Sequence, residues 1–230
     1  MTTALEHLTR LCPPPPAPSS VDWNSVETAL GMALPKDYRQ LASRYGPGSF
    51  CGYLSLRHPL GMTDWIDLTG PMTTQLRNQL EDDRARGRSV PYAPQDLFPI
   101  AVTDNGEFGF WHTAPAQDPA AWTIAVNEAR GAEWFTFDGT LTEFLVAVLS
   151  GRTRVPLFPD SLLSRGPFFT PSPERRAGQE PSPAAPRRPA RGPRDSAAVR
   201  AWAREHGYDV PERGRIPAAV LTAWEEAHDE

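Results

Sequence analysis

The residues best suited to do chemistry lie near the C-terminus, in the tripeptide Arg213-Gly214-Arg215. Two guanidinium groups flanking one glycine can point to opposite sides, while the glycine lets the backbone press against a surface. The minor groove of A·T-rich DNA is narrow and strongly negative, and its floor lacks the guanine amino group that blocks close approach. The tripeptide therefore fits that groove in shape and charge. An Arg-Gly-Arg taken alone also describes an ordinary surface turn, so the residues that frame it decide its meaning.

That frame is two short helices. Ser196 is suited to cap the first, and Val199, Trp202, Ala203 and His206 fall at i, i+3, i+4 and i+7, with Gly207 as the stop. Pro217 suits the first turn of the second, on which Val220, Leu221 and Trp224 face inward. The pair would enclose Trp202, Val210, Ile216 and Trp224, and the second helix would hold the loop open with its dipole toward a phosphate. The sequence Val199-Arg200-Ala201-Trp202-Ala203, then Gly207-Tyr208-Asp209-Val210, then Arg213-Gly214-Arg215-Ile216-Pro217 and Val220 closely resembles the C-terminal domain of Lsr-type nucleoid-associated proteins of actinobacteria. Those proteins are similar to H-NS in role and bind AT-rich DNA. The resemblance implies that Arg213, Gly214 and Arg215 read the groove, that Ser196 and Arg200 are candidate phosphate contacts, and that AT-rich double-stranded DNA is the partner. It also implies a cytoplasmic, nucleoid-associated protein. The chain departs from that family in lacking its N-terminal oligomerisation domain, and in an acidic tail, Glu225, Glu226, Asp229 and Glu230, that opposes phosphate.

Elsewhere the sequence offers little chemistry. His58 and His112 are far apart and sit in no metal-binding motif; Asp64, Asp67, Asp82 and Asp83 could hold a cation but read more simply as solvated acids. Cys12 and Cys51 have no metal-ligand spacing, and Cys51 is expected as a small core residue within a strand. No glycine-rich phosphate loop is present. The expectation is a non-enzymatic protein without a cofactor or metal.

Charge is distributed unevenly. The net charge is −5, yet residues 1–165 hold 13 basic and 18 acidic groups, residues 166–194 hold 6 and 2, and residues 195–230 hold 4 and 8. Bulk attraction to nucleic acid is thus excluded, and any DNA contact must come from placed arginines. No run of 18 apolar residues occurs, and the N-terminus has Glu6, His7 and Arg10 where a signal peptide needs an apolar stretch, so a cytoplasmic protein without membrane contact is expected. Residues 166–194 contain eight prolines and few apolar groups, which predicts a disordered, basic linker. The expected domains are an N-terminal helix and Pro-rich lead (1–19), a binding domain (20–165), the linker (166–194) and the small two-helix DNA-binding unit (195–230).

In the large domain the spacing predicts helices early and strands later. Leu5, Leu8 and Leu11 suggest an opening helix, Val26 and Leu30 a second ending at Gly31, and Tyr38, Leu41, Ala42 and Tyr45 a third after Pro35. Residues 50–56 read as a strand and 72–87 as a helix with Leu76 and Leu80 inward. Asn105-Gly106 predicts a hairpin with positive φ at both residues. Strands at 122–126 and 133–137 and a helix carrying Leu141, Phe144, Leu145 and Val148 complete an α+β fold on a mainly antiparallel sheet. Trp23 through Gly31, Leu34-Pro35 with Tyr38, Tyr45 through Phe50, Leu97 through Ala101 with Asn105-Gly106, and residues 137–145 together resemble the SUKH superfamily, which takes in the yeast cell-wall regulator group and bacterial immunity proteins. This implies a SUKH-like protein-binding module with an unknown partner, serving either a regulator or an immunity-type protein that neutralises a toxin.

Overall fold

In the computed structural model the described residues are 3–17, 19–129, 132–175, 181–182, 202–206, 208 and 224. Five α-helices and seven strands run through residues 4–171: α1 (Ala4–Leu11), α2 (Trp23–Leu30), α3 (Lys36–Tyr45), β1 (Gly48–Phe50), β2 (Leu54–Leu56), α4 (Met72–Ala85), β3 (Leu97–Thr103), β4 (Phe108–His112), β5 (Thr123–Asn127), β6 (Trp134–Phe137), α5 (Leu141–Leu149) and β7 (Phe169–Pro171). The strands form one sheet in the order β6-β5-β4-β3-β2-β1-β7, antiparallel throughout. The fold is α+β. The chain divides into two compact units, Met1–Pro183 and Ala184–Glu230.

Both faces of the sheet are covered, which explains why all seven residues of β3 are buried. Tyr38 and Leu41 of α3, Leu8 of α1 and Leu141, Phe144 and Leu145 of α5 pack on one face against Ile100, Trp111, Ile124 and Val126. Met72, Leu76 and Leu80 of α4 cover the other, against Leu97, Val102, Phe110 and Ala125. Neighbouring strand residues thus alternate between the two cores. On β3 a register shift between Pro99 and Ala101 changes the phase, so that Ile100 and Ala101 both belong to the larger core. Tyr38 sits at the centre of that core, edge-on to Trp23 and Trp111 with ring centroids 5.8 and 5.0 Å away.

The helix ends follow local chemistry. Thr140 and Glu143 form a capping box at the start of α5, as Thr3 and Glu6 do at α1. All four predicted apolar positions of α3 are buried, as are Leu76 and Leu80 of α4.

Three expectations need correction. Residues 50–56 are not one strand but parts of two: the chain reverses at Cys51 and Gly52, and β1 pairs back on β2. Cys51 is buried as expected, but it lies in this turn with φ +55, where the Tyr53 amide donates back to the Phe50 carbonyl at 3.0 Å. In the β3–β4 hairpin, positive φ is found at Gly106 (+99) and not at Asn105, since the loop runs from Thr103 to Glu107 and is wider than a two-residue turn.

The third correction concerns the expected linker. Residues 169–171 form β7 on the outer edge of β1, with Phe169 against Tyr45 and Phe50 at centroid distances of 5.0 and 4.9 Å. Beyond it, the Ser19 hydroxyl donates to Glu174, and Arg175 pairs with Asp67 at 3.2 Å and donates to the Pro59 carbonyl at 2.8 Å. Two phenylalanines and two charged anchors outweigh the proline content there. The remainder of the expected linker lies largely outside the described residues.

Candidate functional site

Ser196, Arg200, Arg213, Gly214 and Arg215 all lie outside the described residues, as do Val210, Ile216 and Val220. What is described of their unit belongs to its helical frame. Residues 202–205 are helical and so is Trp224, one within each of the two helices that the sequence predicts. Ala203, on the predicted inward face, has no exposed surface. The Tyr208 amide donates to the Ala203 carbonyl at 2.8 Å, five residues back, the bond that closes a helix of Schellman type. The Trp202 indole stacks on His206 and Tyr208, with centroids 4.4 and 5.8 Å apart.

In the larger unit, the polar residues that drew attention in the sequence are held in structural bonds. His58 is 1% exposed; its Nδ1 accepts from the Leu60 amide at 3.0 Å, which leaves the proton on Nε2 to donate to the Ala42 carbonyl at 3.2 Å. Burial lowers its pKa to about 4, so the ring is neutral. His112 instead stacks on Tyr92 at 3.8 Å. Asp67 accepts from Thr69 and pairs with Arg175, while Asp82 and Asp83 pair with Arg86 and Arg88. The structure therefore does not bring Asp64, Asp67, Asp82 and Asp83 together, and among the described residues no group of three or more His, Cys, Asp or Glu is placed to hold a metal ion. Burial pushes the Cys12 thiol up to about 12, with the Cys51 sulfur adding to it, and burial raises Cys51 as well.

Sequence reasoning missed two buried polar centres. Arg57 is fully buried, its guanidinium donating to the Thr73 hydroxyl and the Pro99 carbonyl at 3.1 Å each and to the Asp67 carbonyl. The Tyr38 hydroxyl donates to the Arg57 carbonyl at 2.8 Å. Glu107, beside the β3–β4 hairpin, accepts from the Tyr53 hydroxyl at 2.8 Å and from Thr103. These centres tie loops to the sheet rather than face a cavity. A groove of about 530 Å3 lies between α1, the end of β6 and α5, lined by Thr3, His7, Phe137, Asp138, Glu143 and Arg152. Among the described residues, no helix is long and apolar enough to cross a membrane.

Two family models match the chain. That of the Lsr2 DNA-binding domain covers residues 191–227, and that of the SMI1/KNR4 family (SUKH-1) covers residues 17–147. They are the two families that the motifs resemble. No curated protein and no solved structure gives a significant match.

Proposed function

Because this chain belongs to the SMI1/KNR4 (SUKH-1) family and also carries a match to the Lsr2 DNA-binding domain, we propose that it is a non-enzymatic DNA-binding protein whose larger unit holds a protein partner. Arg213 and Arg215 enter the minor groove of AT-rich DNA, with Gly214 allowing close approach and Ser196 and Arg200 contacting phosphates. The observation that carries this reading is that the Arg-Gly-Arg loop falls within the matched segment 191–227. The setting is cytoplasmic and nucleoid-associated, and the role is that of a regulator. A second role, immunity through capture of a toxin, is favoured by the SUKH-1 match, which spans more than half of the chain; a toxin gene beside this one would decide for it.

The test is a titration of the full chain with labelled AT-rich and GC-rich duplexes. The AT-rich duplex should bind more tightly, and replacing Arg213 and Arg215 together with alanine should abolish the preference while circular dichroism stays unchanged. Each lost arginine contact is worth about 1–3 kcal/mol. Equal affinity for both duplexes, or a preference that survives the double substitution, would sink the minor-groove reading.

A further inference from the structure

The sheet ends at β6, which pairs with β5 alone. The bond from the Glu128 amide to the Glu133 carbonyl, 2.9 Å, fixes which backbone groups are used. Given the register Val126 to Phe135 and Ile124 to Phe137, the amides and carbonyls of Phe135 and Phe137 turn toward β5. Those of Trp134 and Thr136 turn outward, where no strand lies among the described residues. The Phe135 and Phe137 side chains pack on the larger core, and Thr136 is exposed. The opposite edge is less suited to pairing, since β7 has three residues and ends at Pro171, which has no N–H to donate.

Charge says what kind of strand could pair there. Glu133 and Asp138 are both exposed and bracket β6, and residues 132–139 contain no basic group. The groove of about 530 Å3 begins at the C-terminal end of the same strand, lined by Asp138 and Glu143 together with Arg152 and His7; at the other end Arg88 lies beside Trp134 and is paired with Asp83. We propose that β6 accepts an eighth strand: an extended basic segment of a protein partner. That segment pairs with the outward backbone groups of Trp134 and Thr136, sets arginine or lysine beside Glu133 and Asp138, and lays one side chain in the groove. Main-chain bonds supply affinity, and the flanking carboxylates and the groove supply selectivity. A second copy of this chain fits poorly, because an antiparallel β6 would bring the Glu133 and Asp138 carboxylates of both copies to one edge with no basic residue of 132–139 to offset them. This inference rests on the reading of the larger unit as a partner-binding module.

The probe is a capped peptide alternating arginine and valine, added to the full chain, with three comparisons. One is the same peptide N-methylated at alternate amides, which keeps charge and side chains but cannot pair along that edge. Another is Thr136→Pro, which removes an outward N–H and leaves the amides facing β5 intact. The third is the Glu133→Lys, Asp138→Lys pair, read against the arginine peptide and a glutamate–valine counterpart. The arginine peptide should slow amide exchange at Trp134 and Thr136. N-methylation and Thr136→Pro should each weaken binding at least about tenfold, and charge reversal should switch preference to the acidic peptide. AT-rich duplex binding should be the same in Thr136→Pro as in wild type. Absence of binding, protection away from β6, or equal binding of the N-methylated peptide would overturn the proposal. Immobilised wild type and Thr136→Pro exposed to native lysate separate the two levels: a protein held equally by both leaves the partner-binding reading standing and overturns the β6 assignment. Nothing held by either would overturn the partner-binding reading itself, and the β6 assignment that rests on it falls with it.

Discussion

His58 shows how burial converts a titratable side chain into a structural part. Its ring pins the loop after β2 to the end of α3 through the Leu60 amide and the Ala42 carbonyl, and burial holds its pKa near 4 against an ordinary 6.5. Between those values the unfolded chain binds a proton that the folded protein does not, so stability rises with pH across the window. The contribution is complete above pH 6.5 and is lost as the pH falls toward 4, with a size of up to about 3 kcal/mol. Urea unfolding at pH 7.5 and pH 4.5 should therefore show a larger acid loss in the wild type than in His58→Gln, the difference approaching that figure. Equal acid losses would mean that other groups carry the pH dependence. Neither the burial of His58 nor that of Arg57 was legible in the sequence. The partners that make burial tolerable, Ala42 for the first and Thr73, Pro99 and Asp67 for the second, are contributed by other elements. The Arg-Gly-Arg at 213–215 drew attention in the sequence because its chemistry is local, two charges and a glycine in three residues, but these residues lie outside the described ones.

At the scale of elements, legibility followed length and period. The four apolar positions of α3 and the capping box of α5 are local signals, and each element forms where its signal lies. β7 is the opposite case: three residues inside a Pro-rich run have no period, and only the open edge of β1 makes them a strand. Gly48 of β1 lies so close under Phe169 and the Thr170 carbonyl that a Cβ there would have no room, which records how tightly the two strands meet. Phe169 fills the space beside Tyr45 and Phe50, so Phe169→Ala should destabilise the larger unit by about 2–4 kcal/mol, somewhat below a fully buried phenylalanine because this ring is only half-buried. Thr170→Ala, at an exposed position, should stay within about 0.5 kcal/mol of wild type. Denaturant unfolding of the two variants checks this; equal midpoints would mean that β7 is an appendage rather than part of the core.

On the scale of the whole molecule, the charge pattern divides the labour. Composition was legible here, since the change from 18 acids against 13 bases in residues 1–165 to 6 bases against 2 acids in residues 166–194 falls around the end of the larger unit. Its exact end was not, because the anchors of residues 172–175 reach back to Ser19, Pro59 and Asp67, far away in sequence. The acidic larger unit repels phosphate, so a DNA contact falls to a few placed arginines. With Arg200 on a phosphate and Arg213 and Arg215 in the groove, three positive charges each displace a condensed cation from the duplex, so the logarithm of the binding constant should fall with the logarithm of salt concentration at a slope of roughly −3, at about 0.9 per displaced cation. A second Arg-Gly-Arg, Arg86-Gly87-Arg88, lies in the larger unit, but its arginines pair with Asp82 and Asp83; one Lsr2-type segment per chain thus limits what binding can achieve, because joining two duplexes requires at least two reading heads in one assembly. At concentrations where the protein sediments as a monomer, it should bind an AT-rich duplex fixed to beads yet fail to retain a second, labelled duplex. Retention of the second duplex by the monomer would demand another DNA-binding surface on the chain, and the acidic larger unit would no longer be the partner-binding half of the molecule alone.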